Sequence, residues 1–292
     1  MRKMIELSSR FIIAFLLIAT VCSDAAKKIA YIYQDLGAGV VSSVHAKKML
    51  EEVLGNRYEI REINSQEIIQ GAWKENAVLL FMPGGRSSGY AKKLDGEGNK
   101  QIRQFVENGG AYLGICAGAY YGGSKVEFDK SAEHGYVFTR ELSFYNGVIE
   151  GPTFYPFSYG SYEGASATPI VLPDGKKLTV YYKGGCNFLE HEKCENVEIL
   201  ACYENDKVAI VKMPFGSGIV ILSGVHFEID PNFLINDAPE DGEPFLEPII
   251  PELMNDDTER IAFCSYILGE LGIASEDDDH DCECQDTDAQ DK

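Results

Sequence analysis

NGGAYLGICAGAYYG, residues 108–122, joins a glycine break, a short apolar run and a cysteine set among small residues. Ala111 to Ile115 (AYLGI) has the length and content of a buried strand, and it runs straight into Cys116-Ala117-Gly118. A buried strand ending on such a cysteine is how α/β hydrolytic folds build a nucleophile elbow. The turn admits no bulky neighbour and lifts the side chain to the carboxyl edge of the sheet. A helix starting just after it would aim its N-terminus at the sulfur and lower the thiol pKa. Taken alone, the segment reads equally well as a buried structural cysteine whose glycines serve packing.

Upstream, Lys28 to Gln34 (KIAYIYQ) reads as the first buried strand. Val40 to Leu54 has helical spacing, with Val41, Val44, Met49 and Val53 toward one face and Gly55 closing it. Tyr58 to Ile63 is a short strand. Ala77 to Met82 (AVLLFM) is a continuous apolar run, as expected of a strand covered on both faces. Lys100 to Asn108 suits a helix ended by Gly109 and Gly110. Strands alternating with helices across short glycine turns predict a mostly parallel sheet flanked by helices.

Downstream, Phe138 to Tyr162 is rich in aromatics, Gly and Pro and reads as a long irregular excursion or lid. Leu178 to Tyr182, Val197 to Tyr203, Lys207 to Met213 and Gly218 to Gly224 read as four short strands, and Ile261 to Leu271 as a closing helix. There is no internal repeat.

Two further motifs sit at ends of predicted strands. His226-Phe227-Glu228 follows Ile219 to Gly224 (IVILSG). A thiol becomes a nucleophile when a base takes its proton, and the base works best when a third group holds its ring. A surface loop is the plain reading of His226; the elbow upstream favours the functional one. Pro83-Gly84-Gly85, after the AVLLFM run, allows backbone N–H groups to face a developing oxyanion together with the N–H of Ala117. All three motifs fall where open α/β sheets bind ligands.

In that order, strand–PGG, strand–GxCxG and a late HxE resemble the class I glutamine-amidotransferase superfamily. FMPGGRSSGY, NGGAYLGICAGAYYG, RELSFYNGVIEGP, VYYKGG and LSGVHFE more specifically resemble the N-terminal domain of eukaryotic biotin–protein ligases, itself amidotransferase-like. The resemblance runs from about Lys28 to Leu271. It implies a flavodoxin-like three-layer sandwich. It also implies Cys116 as nucleophile, His226 as general base, Glu228 as its orienter, and oxyanion support from Gly84, Gly85 and Ala117. Tyr120 stands where glutaminases of the superfamily carry a substrate-holding Gln, and no Gly-Arg-rich biotinyl-adenylate loop is present. Glutamine hydrolysis and biotin transfer are therefore not inherited from the likeness alone. The expected substrate is a small molecule with an amide or related acyl group, with no cofactor and no metal. Alternatives are a non-catalytic small-molecule-binding or regulatory module on the same scaffold, and a redox-sensing thiol.

Several weaker signals bear on this reading. Gly37-Ala38-Gly39 has the start of a dinucleotide-binding loop, but Ser42 stands at its third glycine. Tyr120, Tyr121, Tyr181 and Tyr182 read as pocket lining or as core. His280, Cys282 and Cys284 lack a full tetrahedral ligand set.

The formal charge of −20, with no basic stripe, argues against nucleic acid and anionic membranes as partners. Nine acids and one lysine between Ser275 and Lys292 supply −8 of it, in a tail with no core-forming pattern that is expected to be disordered. Residues 1–25 read as a secretory signal. Arg2, Lys3 and Arg10 precede the apolar run Phe11 to Val21, and small residues follow for cleavage after Ser23 or Ala25. The run is shorter than the roughly 20 residues of a spanning helix, so no stable membrane insertion is expected after cleavage. The expected organisation is a signal at 1–25, an amidotransferase-like domain at 26–274 and a tail at 275–292, in a secreted or secretory-pathway protein. Seven cysteines would then remain, an odd number that leaves at least one thiol free, with Cys116 the natural candidate.

Overall fold

The computed structural model describes residues 27–130, 135–237 and 242–273. The expected signal segment and the acidic tail, with His280, Cys282 and Cys284, lie outside the described residues. In chain order the first half comprises β1 (Ile29–Tyr33), α1 (Val40–Leu54), β2 (Glu59–Ile63), α2 (Ser65–Gln70), β3 (Ala77–Met82), α3 (Ser87–Leu94), α4 (Glu97–Glu107), β4 (Ala111–Ile115) and α5 (Ala117–Gly122). There follow β5 (Gly123–Phe128), β6 (Tyr136–Thr139), β7 (Tyr145–Gly151), β8 (Ser166–Val171), β9 (Lys177–Tyr182), β10 (Asn187–Leu189), β11 (Glu198–Tyr203), β12 (Val208–Phe215) and β13 (Gly218–Ser223). Helices α6 (Leu234–Asp237), α7 (Glu243–Leu246), α8 (Ile250–Asn255) and α9 (Asp257–Glu270) close the described chain.

The main sheet runs β2-β1-β3-β4-β13-β12-β11-β8-β9. Its first five strands pair in parallel. Their order is the 2-1-3-4-5 of the flavodoxin-like doubly wound fold. The last four continue it with antiparallel pairings. Strand residues alternate between two cores, as the two-residue period of a strand requires. Tyr31, Leu80, Met82, Tyr112, Val220 and Leu222 face the layer holding α2 to α5. Ala30, Ile32, Leu79, Phe81, Leu113 and Ile221 face the layer holding α1 and α9. That is the three-layer sandwich expected from the apolar runs. Register then places the motifs: Met82 lies level with Gly114, and Ile115 with Ser223. Pro83-Gly84-Gly85, Cys116 and Gly224 to Glu228 therefore leave one sheet edge together.

Two local expectations are corrected. The aromatic stretch from Phe138 to Tyr162 is not irregular throughout. It holds the end of β6 and all of β7, which join β5 and β10 in a second, four-stranded sheet; residues 140–144 and the chain beyond Gly151 are irregular. The cause is that β7 is set by its neighbours β5 and β10, which lie well away from it in sequence. In α1 the buried face is not the Val41–Val44 one. Val44 is exposed, and the inward residues of the first turns are Ser42, Ser43 and His45. An apolar moment does not register a helix end that faces hydrogen-bonding partners.

Candidate active site

Cys116 occupies a backbone conformation that only a well-determined surround sustains. Its φ is 49° and ψ −102°, outside the regions ordinary for a non-glycine residue. Such geometry costs about 1–3 kcal/mol and collects at functional sites. Its N–H donates to the carbonyl of Ser223 at 2.8 Å and its carbonyl accepts the N–H of Tyr120 at 2.9 Å, so β13 and α5 clamp it from both sides. Gly118 is needed for the same turn: a Cβ there would lie 2.0 Å from the carbonyl oxygen of Met82. The helix behind the elbow has six residues.

His226 stands beside the sulfur, in hydrogen-bond contact with it. It is buried, and its Nδ1 is 2.8 Å from Oε1 of Glu228, which is fully buried. An ionised Glu228 fixes the proton on Nδ1 and leaves Nε2 for Cys116. Burial alone would lower the imidazole pKa. The Glu228 carboxylate and a hydrogen bond from the ring to the Cys116 sulfur outweigh it and hold the ring at about 10. The backbone N–H of His226 donates to Tyr181 at 2.8 Å, and the two rings meet edge to face at 5.6 Å.

Ser42 links this pair to the glycine loop. Its hydroxyl donates to Oε1 of Glu228 at 2.7 Å and accepts the N–H of Gly84 at 2.8 Å. Gly84 lies so close to the imidazole that a Cβ would be 2.4 Å from Cε1. With its N–H held by Ser42, the loop and elbow donors left for an oxyanion are Gly85 and Ala117. Ala117 begins α5, where N–H groups have no partner inside the helix. The Gly37-Ala38-Gly39 loop proves to be a buttress: Gly39 N–H donates to Gly84 at 2.8 Å and Arg86 N–H to Gly37 at 2.7 Å.

The segment from Tyr181 to Gly185 covers the sulfur. The carbonyl of Lys183 is 3.8 Å from Cys116 Sγ, and Cys116 is 7% exposed. Tyr120 pins this segment: its buried hydroxyl donates to the carbonyl of Gly184 at 3.1 Å and its ring packs on Phe128. Tyr121 is core, bonded to Asn99. Tyr182 donates to Gly185 at 3.1 Å and accepts the N–H of Phe154. Two surface hollows lie elsewhere, one of about 330 Å³ beside α4 and one of about 270 Å³ beside β8.

The structure thus gathers Cys116, His226, Glu228, Gly84, Gly85 and Ala117, and turns the Tyr120 hydroxyl toward the covering segment. Sequence reasoning passed over Ser42 and Lys183. The available signals were a run of small polar residues opening an otherwise apolar helix, and a cation between Tyr-Tyr and Gly-Gly. Cys186, Cys194, Cys202 and Cys264 are free thiols, as is Cys116.

A family model described as the N-terminal part of biotin–protein ligase matches residues 29–289. The chain belongs to that family. The biotin–protein ligase of Schizosaccharomyces pombe is 32% identical over 261 residues, covering 86% of this chain and 39% of the yeast protein. The chain therefore spans well under half the length of that relative. An uncharacterized protein of Chlamydia muridarum is 34% identical over 210 residues, covering 69% of this chain and 81% of that one. Among solved structures, PurLQS of Thermotoga maritima aligns with a TM-score of 0.48 at 17% identity, over 78% of this chain and 99% of its own. A GMP synthase component from Thermoplasma acidophilum aligns at 0.43 and 13%, over 83% and 98%. For this member of the ligase N-terminal family, the flavodoxin-like assignment stands on strand order.

Proposed function

We propose that this member of the family is a cysteine-dependent hydrolase or acyl transferase acting on a small amide or related acyl group. The observation that carries the reading is an imidazole held between a buried carboxylate and a cysteine in strained elbow geometry. The Cys116 thiolate attacks the carbonyl carbon, forming the S–C bond, and the N–H groups of Ala117 and Gly85 take the charge that develops on oxygen. His226 gives the proton on Nε2 to the leaving amine as the C–N bond breaks. It then takes a proton from water, whose oxygen attacks the thioester; the acid departs and the thiolate returns. Glu228 keeps the ring in the required tautomer throughout.

The test is the pH dependence of iodoacetamide alkylation of Cys116, in the wild type and in His226→Ala, followed by an amide panel with Cys116→Ser. A thiolate persisting well below the ordinary value of about 8.5, and lost in His226→Ala, supports the reading. An ordinary thiol indifferent to the mutation refutes it, as does normal turnover by Cys116→Ser.

One observation favours a second reading, a binding module without turnover. The Tyr120 hydroxyl is engaged by Gly184 at the position where glutaminases hold substrate with Gln, and the sulfur is covered. Ligand binding that survives Cys116→Ala, with no turnover by the wild type, would establish that alternative.

A further inference from the structure

The flank of the site that carries no triad residue holds two cations and a set of aromatic rings. The Arg86 guanidinium, one residue past the oxyanion loop, lies 5.3 Å from the centroid of the Tyr159 ring. Lys183 Nζ lies 5.0 Å from the centroid of Phe157 and 3.4 Å from the carbonyl of Ser158. Phe157 and Tyr159 meet edge to face at 4.8 Å, and both rest on Phe128.

This is a strongly acidic chain, and Lys125, Lys130, Lys177, Lys193, Lys212 and Arg260 all lie against carboxylates. Neither Arg86 nor Lys183 has a carboxylate partner among the described residues. Lys183 is half-buried, and burial lowers its pKa while the Cys116 sulfur opposes that shift. Asp129, whose charge reaches Tyr159, accepts the Tyr155 hydroxyl at 3.1 Å. Beyond the Cys116 sulfur, no anion among the described residues is paired with this partly desolvated ammonium, and its burial favours a further counter-charge.

Charge counting says what that is. With Cys116 as thiolate, His226 as imidazolium and Glu228 ionised, the triad carries −1; Arg86 and Lys183 bring the site to +1. We propose that the site takes an acyl substrate bearing a single anionic group beside a planar or apolar face, the anion received by Arg86 and Lys183 and the face by Phe157 and Tyr159. This rests on Cys116 being the nucleophile proposed above. Lys183, whose charge interacts with the Cys116 sulfur, also favours the thiolate before attack.

The experiment compares two alkylating agents of nearly equal size, iodoacetate and iodoacetamide. In both, the Cys116 thiolate displaces iodide and forms an S–C bond; only the anionic charge differs. Rates are read by mass spectrometry of the Cys116 peptide near pH 7, with a neutral cysteine peptide as reference. The iodoacetate-to-iodoacetamide ratio at Cys116 should exceed the reference by about tenfold, the scale of electrostatic focusing in a cleft of one sign. Lys183→Met and Arg86→Met should each lower it several-fold, and Lys183→Arg should preserve it. Because Arg86 is exposed, its variant reports on charge even if Lys183→Met disturbs the covering segment. A ratio equal to the reference and unmoved by Arg86→Met overturns the anionic-substrate inference while leaving a fast iodoacetamide reaction, and so the nucleophile, intact. Slow alkylation by both agents, indifferent to His226→Ala, removes the nucleophile and this inference with it.

Discussion

Ser42 and Ser43 offer a matched pair for measuring what holds the candidate site together. They are adjacent in α1, 6% and 7% exposed, and each donates one hydrogen bond. Ser43 donates to the carbonyl of Gly39 at 3.0 Å, an ordinary neutral bond of about 0.5–1.5 kcal/mol. Ser42 donates to a fully buried carboxylate at 2.7 Å, a bond of about 1.5–3 kcal/mol, and also satisfies the N–H of Gly84. Glu228 has little reserve, because its Oε2 has no hydrogen-bond partner among the described residues. Replacing Ser42 by Ala therefore leaves a buried donor and a weakened carboxylate, a combined loss of about 2–4 kcal/mol after the small gain in helix propensity. Ser43→Ala should cost about 1 kcal/mol or less. The assay is urea unfolding of the wild type and both variants, followed by tryptophan fluorescence from the single, buried Trp73. Equal losses in the two variants, or a Ser42→Ala loss below about 0.5 kcal/mol, would refute the idea that Ser42 ties the carboxylate to the loop.

Other outcomes follow from the same geometry. Gly84→Ala sets a methyl 2.4 Å from His226 Cε1, so it should push the ring away, slow Cys116 alkylation as His226→Ala does, and cost about 1–3 kcal/mol in unfolding experiments. His226 is raised from an unfolded value near 6.5 to about 10, so its contribution to stability is full below pH 6.5 and is lost as pH climbs toward 10. The stability gap between wild type and His226→Gln should narrow steadily over that window in pH-dependent denaturation, and a gap that is flat or widens contradicts the assignment. Tyr120→Phe removes the tie to Gly184 and should cost about 1 kcal/mol, with faster amide exchange at residues 183 to 185 seen by mass spectrometry.

Much of the frame was legible because burial on both faces writes itself as apolar runs. AVLLFM and AYLGI could hardly be anything else, and the glycines after each marked where the sheet edge would fall. Cys116, His226 and Glu228 could be singled out because they stand at or just beyond those strand ends. Ser42 did not follow. Its partner Glu228 is 186 positions away, and no local period reports a hydrogen bond across that span. Lys183 was hidden for the same reason, its carbonyl meeting the sulfur across 67 positions. In β7, side-chain content suggested irregular structure because its order comes from strand neighbours rather than from its own residues. The position set aside as a failed third glycine in the Gly37-Ala38-Gly39 loop turned out to hold the serine that joins two halves of the site.

The pairing of β13 with β4 has a consequence in time as well as in space. The elbow cysteine is made early and its histidine late, and everything from β5 to β12 must be synthesised before the two strands can lie side by side. Contacts so distant in sequence form slowly. Until they form, a nascent or half-folded copy carries at position 116 an ordinary thiol with no imidazole beside it. On the function proposed above, fast alkylation at Cys116 would begin only once the last parallel strand docks, and its onset would time that step.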